Sequence, residues 1–125
     1  MSRVIAGIGC RSRCPADEIV AVVRDAGLRA GRAADALAAP AFKSGEAGLH
    51  AAAELLGLGL ILVGPEALAA AQAACVTRSR IAAQATGVAS VAEGSALAAA
   101  GPGARLILPR IASTRATCAL AETMP

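Results

Sequence analysis

Hydrophobic positions along the chain form short apolar runs that alternate with segments of helical spacing. The first run, Val4–Gly9, has the length of a buried strand and is ended by glycine. The next segment begins at Pro15, a residue favoured in the first turn of a helix. Its apolar residues recur every three or four positions as far as Gly27, a natural C-terminal stop. The pattern therefore predicts a strand followed by an amphipathic helix.

Strand-like and helix-like segments continue to alternate further along the chain. Pro40 lies inside the second apolar run, and because proline cannot donate to a ladder, we expect an edge or irregular strand there. The last two runs are separated by Pro109–Arg115, which is short enough for a hairpin. The later predicted strands are Leu37–Phe42, Leu58–Val63, Arg105–Leu108 and Ala116–Ala121, and the later predicted helices run from Glu46 to Gly57, Pro65 to about Ala74, Ser79 to Thr86 and Ser90 to about Ala100.

This order of elements predicts an α/β fold. Alternating strands and helices favour a three-layer α/β/α domain with a mostly parallel, mixed sheet and a C-terminal β-hairpin. The chain has 125 residues, no internal repeat and no linker-like segment. That length is enough for one hydrophobic core, so we expect residues 1–125 to form a single domain.

The mean hydropathy of +0.60 raises the question of a membrane segment. A spanning helix needs about 20 apolar residues. The longest strongly apolar stretch without charge, Leu55–Pro65, is much shorter, so no membrane partner is expected. Only a few apolar residues separate Arg3 from Cys10, which does not fit a signal peptide and predicts a cytoplasmic protein.

Charge and cysteine usage exclude further classes of function. The net charge of +3 is spread over scattered arginines, and the chain has one Phe and no Trp or Tyr. Nucleic-acid binding typically uses clustered basic residues and stacking aromatics, so no nucleic-acid partner is expected. Cys10 and Cys14 are four positions apart, Cys75 and Cys118 are isolated, and His50 is the one histidine. These spacings do not indicate a zinc site, and no cofactor is expected.

The stretch Val4–Cys14 has the features of an anion site. A strand leads into a loop with two arginines and then into a helix N-terminus, where free N–H groups and the helix dipole attract negative charge. Gly7-Ile8-Gly9 lacks the third glycine of a dinucleotide fingerprint. Arg11 and Arg13 are ligand residues or solvated loop charges. Cys10 is either a small residue beside the turn or a thiol whose pKa the arginines lower.

Ligands of open α/β sheets gather beyond the carboxyl ends of the strands. Gly9–Cys14 would meet Lys43 and Glu46 there. These two residues form an electrostatic and acid–base pair, or Glu46 satisfies the dipole at a helix start. If the strand from Arg105 runs parallel to the first strand, it brings further polar residues to the same edge. They are Arg110, Ser113 and Thr114. We therefore predict a cationic site for a ligand with several carboxylates or phosphates.

Four motifs occur in order between Val4 and Ala121, namely GIGCR, KSGEAGL, TGVASVAEGSAL and RLILPRIASTRATCALA. In this combination they resemble the CobE family, which corresponds to the C-terminal domain of the cobalamin-biosynthesis protein CbiG. The resemblance implies an α/β/α domain that acts in corrin-ring biosynthesis. Ser90 and Glu93, which also form a capping box, match family positions in the third motif.

The resemblance leads to three hypotheses. The leading one is a protein that binds a polycarboxylate corrin intermediate. The alternatives are a hydrolase of a precorrin lactone, with Lys43 and Glu46 as catalytic residues, and a non-catalytic partner of a corrin methyltransferase. The intermediate and the oligomeric state are left open. The candidate ligand-binding residues are Gly9, Cys10, Arg11, Arg13, Lys43, Glu46, Ser90, Glu93, Arg110 and Ser113.

Overall fold

A computed structural model of the chain describes residues 2–75 and 90–125. The strands are β1 (Val4–Cys10), β2 (Ala36–Pro40), β3 (Gly59–Val63), β4 (Arg105–Ala112) and β5 (Ala116–Glu122). The helices are α1 (Ala16–Ala30), α2 (Ala47–Leu56), α3 (Pro65–Ala70) and α4 (Val91–Ala100), with short 3₁₀ turns at Ala41–Lys43 and Ala71–Ala74. The helix predicted from Ser79 to Thr86 lies outside the described residues.

The strands form one mixed sheet in the order β3-β2-β1-β5-β4. The β1–β2 and β2–β3 pairs are parallel, whereas β5 is antiparallel to both β1 and β4. Two antiparallel steps restore the direction, so β4 points the same way as β1. The α/β class, the mostly parallel strand set and the C-terminal hairpin are confirmed.

Helices cover both faces of this sheet, and the alternation along β1 sets which residues meet which layer. Val4, Ala6 and Ile8 pack in a core with the inner faces of α1 and α2. Ile5 points to the opposite face, where it packs in a cluster with Leu68 of α3. Because successive strand residues face opposite sides, β1 is apolar throughout and buried by both layers.

Gly7 is explained by packing. A Cβ at this position would lie 2.6 Å from the Ala96 amide nitrogen and would collide with the Ala92 carbonyl oxygen. The backbone of α4 therefore rests directly on β1 at this point. The GIG sequence is a contact between helix and strand here, in agreement with the absence of a complete dinucleotide fingerprint.

Several predicted boundaries were wrong. α1 continues one turn past Gly27 to Ala30, and Gly31 ends it in the left-handed conformation at φ 69°, with its amide donating to the Gly27 carbonyl. β2 is an interior strand between β1 and β3, because Pro40 is its last residue and lies opposite Val63, where the ladder ends.

None of the helices in residues 2–75 and 90–125 is long and apolar enough to cross a membrane.

β4 is longer than predicted, since it extends from Arg105 through Pro109 to Ala112. The register against β5 shifts between Leu106 and Leu108 and again between Leu108 and Ile111. Each shift places an extra residue on β4, as in a β-bulge. Proline is tolerated there because β4 is an edge strand and the bulge already interrupts the ladder.

Candidate ligand-binding site

The parallel direction of β1 and β4 brings their carboxyl ends to one edge of the sheet. A cavity of about 330 Å³ lies between these ends and the β4–β5 turn. The expectation that the strand from Arg105 carries its polar residues to the edge reached by β1 is therefore confirmed. The predicted residues that line this cavity are Gly9, Cys10, Arg11, Arg110, Ser113 and Thr114.

Glu18, in the first turn of α1, holds the turn that forms one wall of the cavity. The Ser113 hydroxyl donates to its Oε2 at 2.6 Å, and the Arg115 amide donates to the same oxygen at 2.6 Å. Arg115 Nε also donates to Oε1 at 3.0 Å. The bond from the Ser113 hydroxyl, followed by that from the Arg115 amide, lowers the pKa of Glu18.

Sequence reasoning missed this role for Glu18 and did not identify Arg115 as part of the site. From sequence alone, an acidic residue in the first turn of a helix is accounted for by the helix dipole. The partners of Glu18 lie 95 and 97 positions further along the chain. No local motif carries such a pairing, because it depends on the direction of β4.

Gly9 connects β1 to the same wall. Its carbonyl accepts from the Thr117 hydroxyl at 3.3 Å, and a Cβ on Gly9 would lie 2.6 Å from that hydroxyl oxygen. One step further, the Arg11 amide donates to the Arg115 carbonyl at 2.9 Å. The close approach of the Thr117 hydroxyl thus favours glycine at this position. The backbone of Arg11 is held by its hydrogen bond while its side chain is exposed.

The loop before α1 is tied to α2 by a carboxylate. Arg13 has a left-handed backbone at φ 64°, and its amide donates to Glu46 Oε1 at 2.8 Å. Glu46 occupies the N-cap position of α2. Gly48 allows the first turn of α2 to approach the loop, since a Cβ there would collide with the Cys14 carbonyl. The loop that follows the first family motif therefore meets the second motif in space.

Cys10 is half-buried at the end of β1, between the cavity and this connection. Burial raises the pKa of its thiol. The positive charge of Lys43 opposes that shift and the negative charge of Glu46 adds to it, so both groups lie near Cys10. The expectation that nearby arginines lower the pKa of Cys10 is wrong, because loss of solvation outweighs the attraction to positive charge.

Ser90 and Glu93 lie beneath the site, in the first turn of α4. The Ser90 hydroxyl accepts from the Glu93 amide at 3.3 Å, which is the predicted cap. The Ser90 amide donates to Gln72 Oε1 at 3.2 Å, and Glu93 Oε2 accepts from the Arg110 amide at 2.9 Å. Both residues are fully buried, at 1% and 0% exposure. They support β4 from below, and direct contact with a ligand stays a prediction for both.

Basic side chains differ sharply in how they are paired. Arg29 pairs with Asp25, Arg32 and Arg105 share Glu122, and Arg115 pairs with Glu18. Six others have no ion-pair partner in the described part of the chain. Arg3 precedes β1 and Arg24 lies on α1, whereas the remaining four lie on the loops at the carboxyl ends of β1 and β2 or at the cavity. They are Arg11, Arg13, Lys43 and Arg110, and we call them the cationic rim.

Comparisons with known proteins match the whole fold. The family described as cobalamin synthesis G C-terminus matches residues 4–121. Protein CobE of Sinorhizobium sp. is 35% identical over 121 residues, which cover 94% of this chain and 79% of that protein.

Solved structures give the same result. The crystal structure of CobE, described as a protein from the cobalamin (vitamin B12) biosynthetic pathway, is similar with a TM-score of 0.91 and 36% identity, over 98% of this chain and 92% of the other. Cobalamin biosynthesis protein chiG from Agrobacterium tumefaciens gives a TM-score of 0.80 at 43% identity, over 98% and 99% of the two chains. A cobalamin biosynthesis protein G homologue from Sulfolobus solfataricus gives 0.72 at 25% identity, over 98% of this chain but 37% of that longer one. The chain therefore belongs to the family of CobE and the CbiG C-terminal domain, in cobalamin biosynthesis.

Proposed function

We propose that this protein binds a polycarboxylate corrin intermediate at the cationic rim. The observation that carries the proposal is the convergence of four basic side chains without ion-pair partners, among the described residues, at one edge of the sheet. Corrin precursors carry several acetate and propionate groups. Guanidinium groups bind such carboxylates through two parallel hydrogen bonds, which gives both affinity and orientation.

The free protein holds these four like charges at one edge of the sheet, and no carboxylate forms an ion pair with them in the described residues. Such an arrangement opposes folding through mutual repulsion, and a bound polyanion removes the repulsion. By contrast, the arginines at Glu122 and Glu18 are neutralised within the chain, and Arg115 at the cavity is one of them. Arg3 and Arg24 are also unpaired in that part of the chain, but each is a single exposed charge, so the grouping of four at one edge is what supports a ligand as the counter-charge of the rim.

The size of the cavity suggests how the ligand sits. At about 330 Å³, it is at the lower end of the ~300–1,000 Å³ usual for small-molecule sites. We propose that the cavity takes one peripheral carboxylate, held by Arg11 and Arg110. The macrocycle would then lie over the loop at Arg13 and Lys43, which engage further carboxylates.

The hydrolase alternative assigns catalysis to Lys43 and Glu46. Both charges act on Cys10, so the two groups share one edge of the sheet. No ion pair joins them in residues 2–75 and 90–125, and the Glu46 carboxylate accepts from the Arg13 amide. That bond and the N-cap position explain Glu46 without a reaction, so we favour binding over hydrolysis.

The test is a titration of the full chain with hydrogenobyrinic acid, a metal-free corrin polycarboxylate, followed by visible absorption. We expect micromolar binding that weakens with added salt. Because a charge-assisted hydrogen bond contributes about 1.5–3 kcal/mol, Arg11→Ala should weaken binding by about 10- to 100-fold.

Arg24→Ala is the matched control, since Arg24 is exposed and without an ion pair in the described part but lies on α1 away from the rim. It should leave the affinity unchanged. Absence of binding at micromolar concentrations, or equal losses in the two variants, would contradict the proposal. Co-purification with a methyltransferase in the absence of corrin binding would favour the docking alternative instead.

A further inference from the structure

The cavity at the cationic rim depends on an irregularity in β4. Between Leu108 and Ile111, β4 advances three residues whereas the paired segment of β5 advances two. This count is that of a β-bulge, in which Pro109 and Arg110 together occupy one position of the ladder. Leu108 and Ile111 both pack against the core shared with α1 and α2, although residues three positions apart on a regular strand face opposite sides. The bulge therefore interrupts the alternation of β4 at this point.

The bulge decides where the Arg110 side chain lies. Without the extra residue, strict alternation would place Arg110 on the same face as Leu108, against the apolar core. With the extra residue, Arg110 lines the cavity together with Gly9 and Arg11. Bulges often re-aim a side chain beside a functional site in this way. The position of this cation is therefore set by the backbone conformation of the bulge.

A buried side chain of α4 contacts the backbone of the bulge. Proline has no amide hydrogen, so of the two bulge residues only Arg110 carries an N–H group. That group donates to Glu93 Oε2 at 2.9 Å. Glu93 is 0% exposed and lies in the first turn of α4, on the side of the sheet opposite α1. The conformation of the bulge is thus held from inside the protein.

The cap of α4 is arranged so that the Glu93 side chain reaches β4. In a capping box, the acidic side chain bonds back to the amide of the N-cap residue. Here the Ser90 amide donates to Gln72 Oε1 at 3.2 Å, while the Ser90 hydroxyl accepts from the Glu93 amide. Gln72 thus supplies the bond to the N-cap amide, and Glu93 Oε2 bonds the bulge instead.

We propose that Glu93 is a positioning residue of the site, because its bond to the Arg110 amide holds the β4 bulge in the conformation that presents the Arg110 guanidinium to the cavity. The proposal rests on the proposed function for its ligand, a carboxylate of a corrin intermediate. Loss of the bond leaves the Arg110 amide without this acceptor. The bulge then relaxes, and the guanidinium is no longer held at the cavity. Glu93 therefore acts on the ligand through Arg110.

The first test compares two variants of similar size in a titration of the full chain with hydrogenobyrinic acid. Glu93→Gln keeps an acceptor oxygen at the same reach, whereas Glu93→Met removes it. Because a misplaced guanidinium loses a charge-assisted hydrogen bond, Glu93→Met should bind about 10-fold more weakly. Glu93→Gln should bind nearly as well as the wild type. Wild-type affinity in Glu93→Met, or equal losses in the two variants, would overturn the proposal.

A double-mutant cycle tests whether Glu93 acts through Arg110. Since Arg110→Ala already removes the guanidinium, Glu93→Met should cause little further loss of affinity in that background. A general loosening of α4 would instead weaken binding equally in both backgrounds, and such additive losses would contradict the proposal. Ala98→Gly is the control, because it lowers the stability of the same helix away from Glu93. It should leave the affinity unchanged.

A measurement without ligand distinguishes failure of this proposal from failure of the proposed function. In nitrogen–proton NMR spectra, the Arg110 amide signal should shift and its hydrogen should exchange faster in Glu93→Met than in Glu93→Gln. An unchanged Arg110 amide in Glu93→Met would remove Glu93 from this role even if the wild type binds the corrin. A wild type that binds no corrin would overturn the proposed function, and with it the ligand named here.

A milder variant serves if Glu93→Met does not fold. Glu93→Asp keeps the carboxyl group but shortens the side chain by one carbon, so the acceptor no longer reaches the Arg110 amide at the same distance. The same change of the amide signal and a weaker affinity for hydrogenobyrinic acid are expected. Wild-type values for both in Glu93→Asp would overturn the proposal.

Discussion

The carboxylate of Glu46 accepts a hydrogen bond of 2.8 Å from the backbone amide of Arg13, 33 positions earlier in the chain. This bond fixes the loop that follows β1 against the N-terminus of α2. Arg13 is held at φ 64° at that point, a backbone region that L-residues seldom adopt. The position of a basic residue at the rim thus depends on an acidic residue of the second family motif.

Replacement of Glu46 separates its structural role from a catalytic one. Glu46→Gln keeps an acceptor oxygen and should fold with nearly unchanged stability, whereas Glu46→Ala should lose about 1–2 kcal/mol in urea denaturation. Corrin binding should survive in Glu46→Gln. If instead the wild type turns over a precorrin lactone and Glu46→Gln does not, the hydrolase alternative is favoured.

The left-handed conformation of Arg13 allows charge and strain to be tested apart. Arg13→Gly removes both the guanidinium and the backbone strain, whereas Arg13→Ala removes the guanidinium alone. Since the left-handed region costs an L-residue about 1–2 kcal/mol, we expect the glycine variant to be the more stable by about 1 kcal/mol in thermal unfolding. Both variants should lose corrin affinity to the same extent. Full affinity in either variant would remove Arg13 from the rim.

The lowered pKa of Glu18 predicts that the stability of the protein depends on pH in the acidic range. Hydrogen bonds from the Ser113 hydroxyl and then the Arg115 amide lower its pKa below the ordinary value of 4.5. A carboxyl whose pKa is lowered by folding contributes stability that is present above 4.5 and is lost as the pH falls through the lower, folded value.

The prediction is checked by urea denaturation of the wild type and Glu18→Gln between pH 7 and pH 3. The wild type should lose stability below about pH 4.5, and the variant should lose less over that range. Glu122 has a lowered pKa for a similar reason, its bonds from Arg32 and then Arg105, so some loss should persist in the variant. Identical pH profiles would contradict the role of Glu18.

Cys10 should be a slow nucleophile in the folded protein. Burial raises the pKa of its thiol, and the charge of Lys43 limits that rise. Lys43→Met should therefore slow labelling by a disulfide reagent at pH 8, because less thiolate is present. Arg24→Met, remote from the thiol, should label at the wild-type rate.

The measurement is simplified by the other three cysteines. Cys14, Cys75 and Cys118 are buried, and burial raises the pKa of Cys118 to about 12. Native protein should thus label first at Cys10, as mass spectrometry of the digested product would show. Equal rates in Lys43→Met and the wild type would place Lys43 away from this thiol.

The close packing of Gly7 against α4 predicts that no larger side chain fits at position 7 without a loss of stability. Gly7→Ala inserts a methyl group into the helix backbone at Ala92 and Ala96, and we expect a loss of about 2–3 kcal/mol in urea denaturation. Gly45→Ala is the control, since nothing lies within 4 Å of a Cβ there. A Gly7→Ala variant as stable as the control would show that α4 can move away from the sheet.

The sequence by itself determined the order of the elements and part of the site. Apolar runs and glycine and proline breaks marked β1, α2 and the hairpin, because strand and helix periodicity are local properties of the chain. The rule that ligands collect at the carboxyl ends of strands brought Arg11 and Lys43 to one edge, and a parallel β4 added Arg110. The motifs indicated the family, which the comparisons confirm.

Only the tertiary structure decided the electrostatics and the supports of that site. Whether a charge is neutralised depends on residues distant in sequence, so Glu18 with Arg115 and Glu93 with the Arg110 amide could not be read from the motifs. The direction in which the pKa of the Cys10 thiol shifts could also be decided only from the structure. Burial and the nearby positive charge act in opposite directions, and the packing sets which of them is larger. The strand pairing also places β2 inside the sheet although it contains Pro40, because the ladder between β2 and β3 ends at that proline.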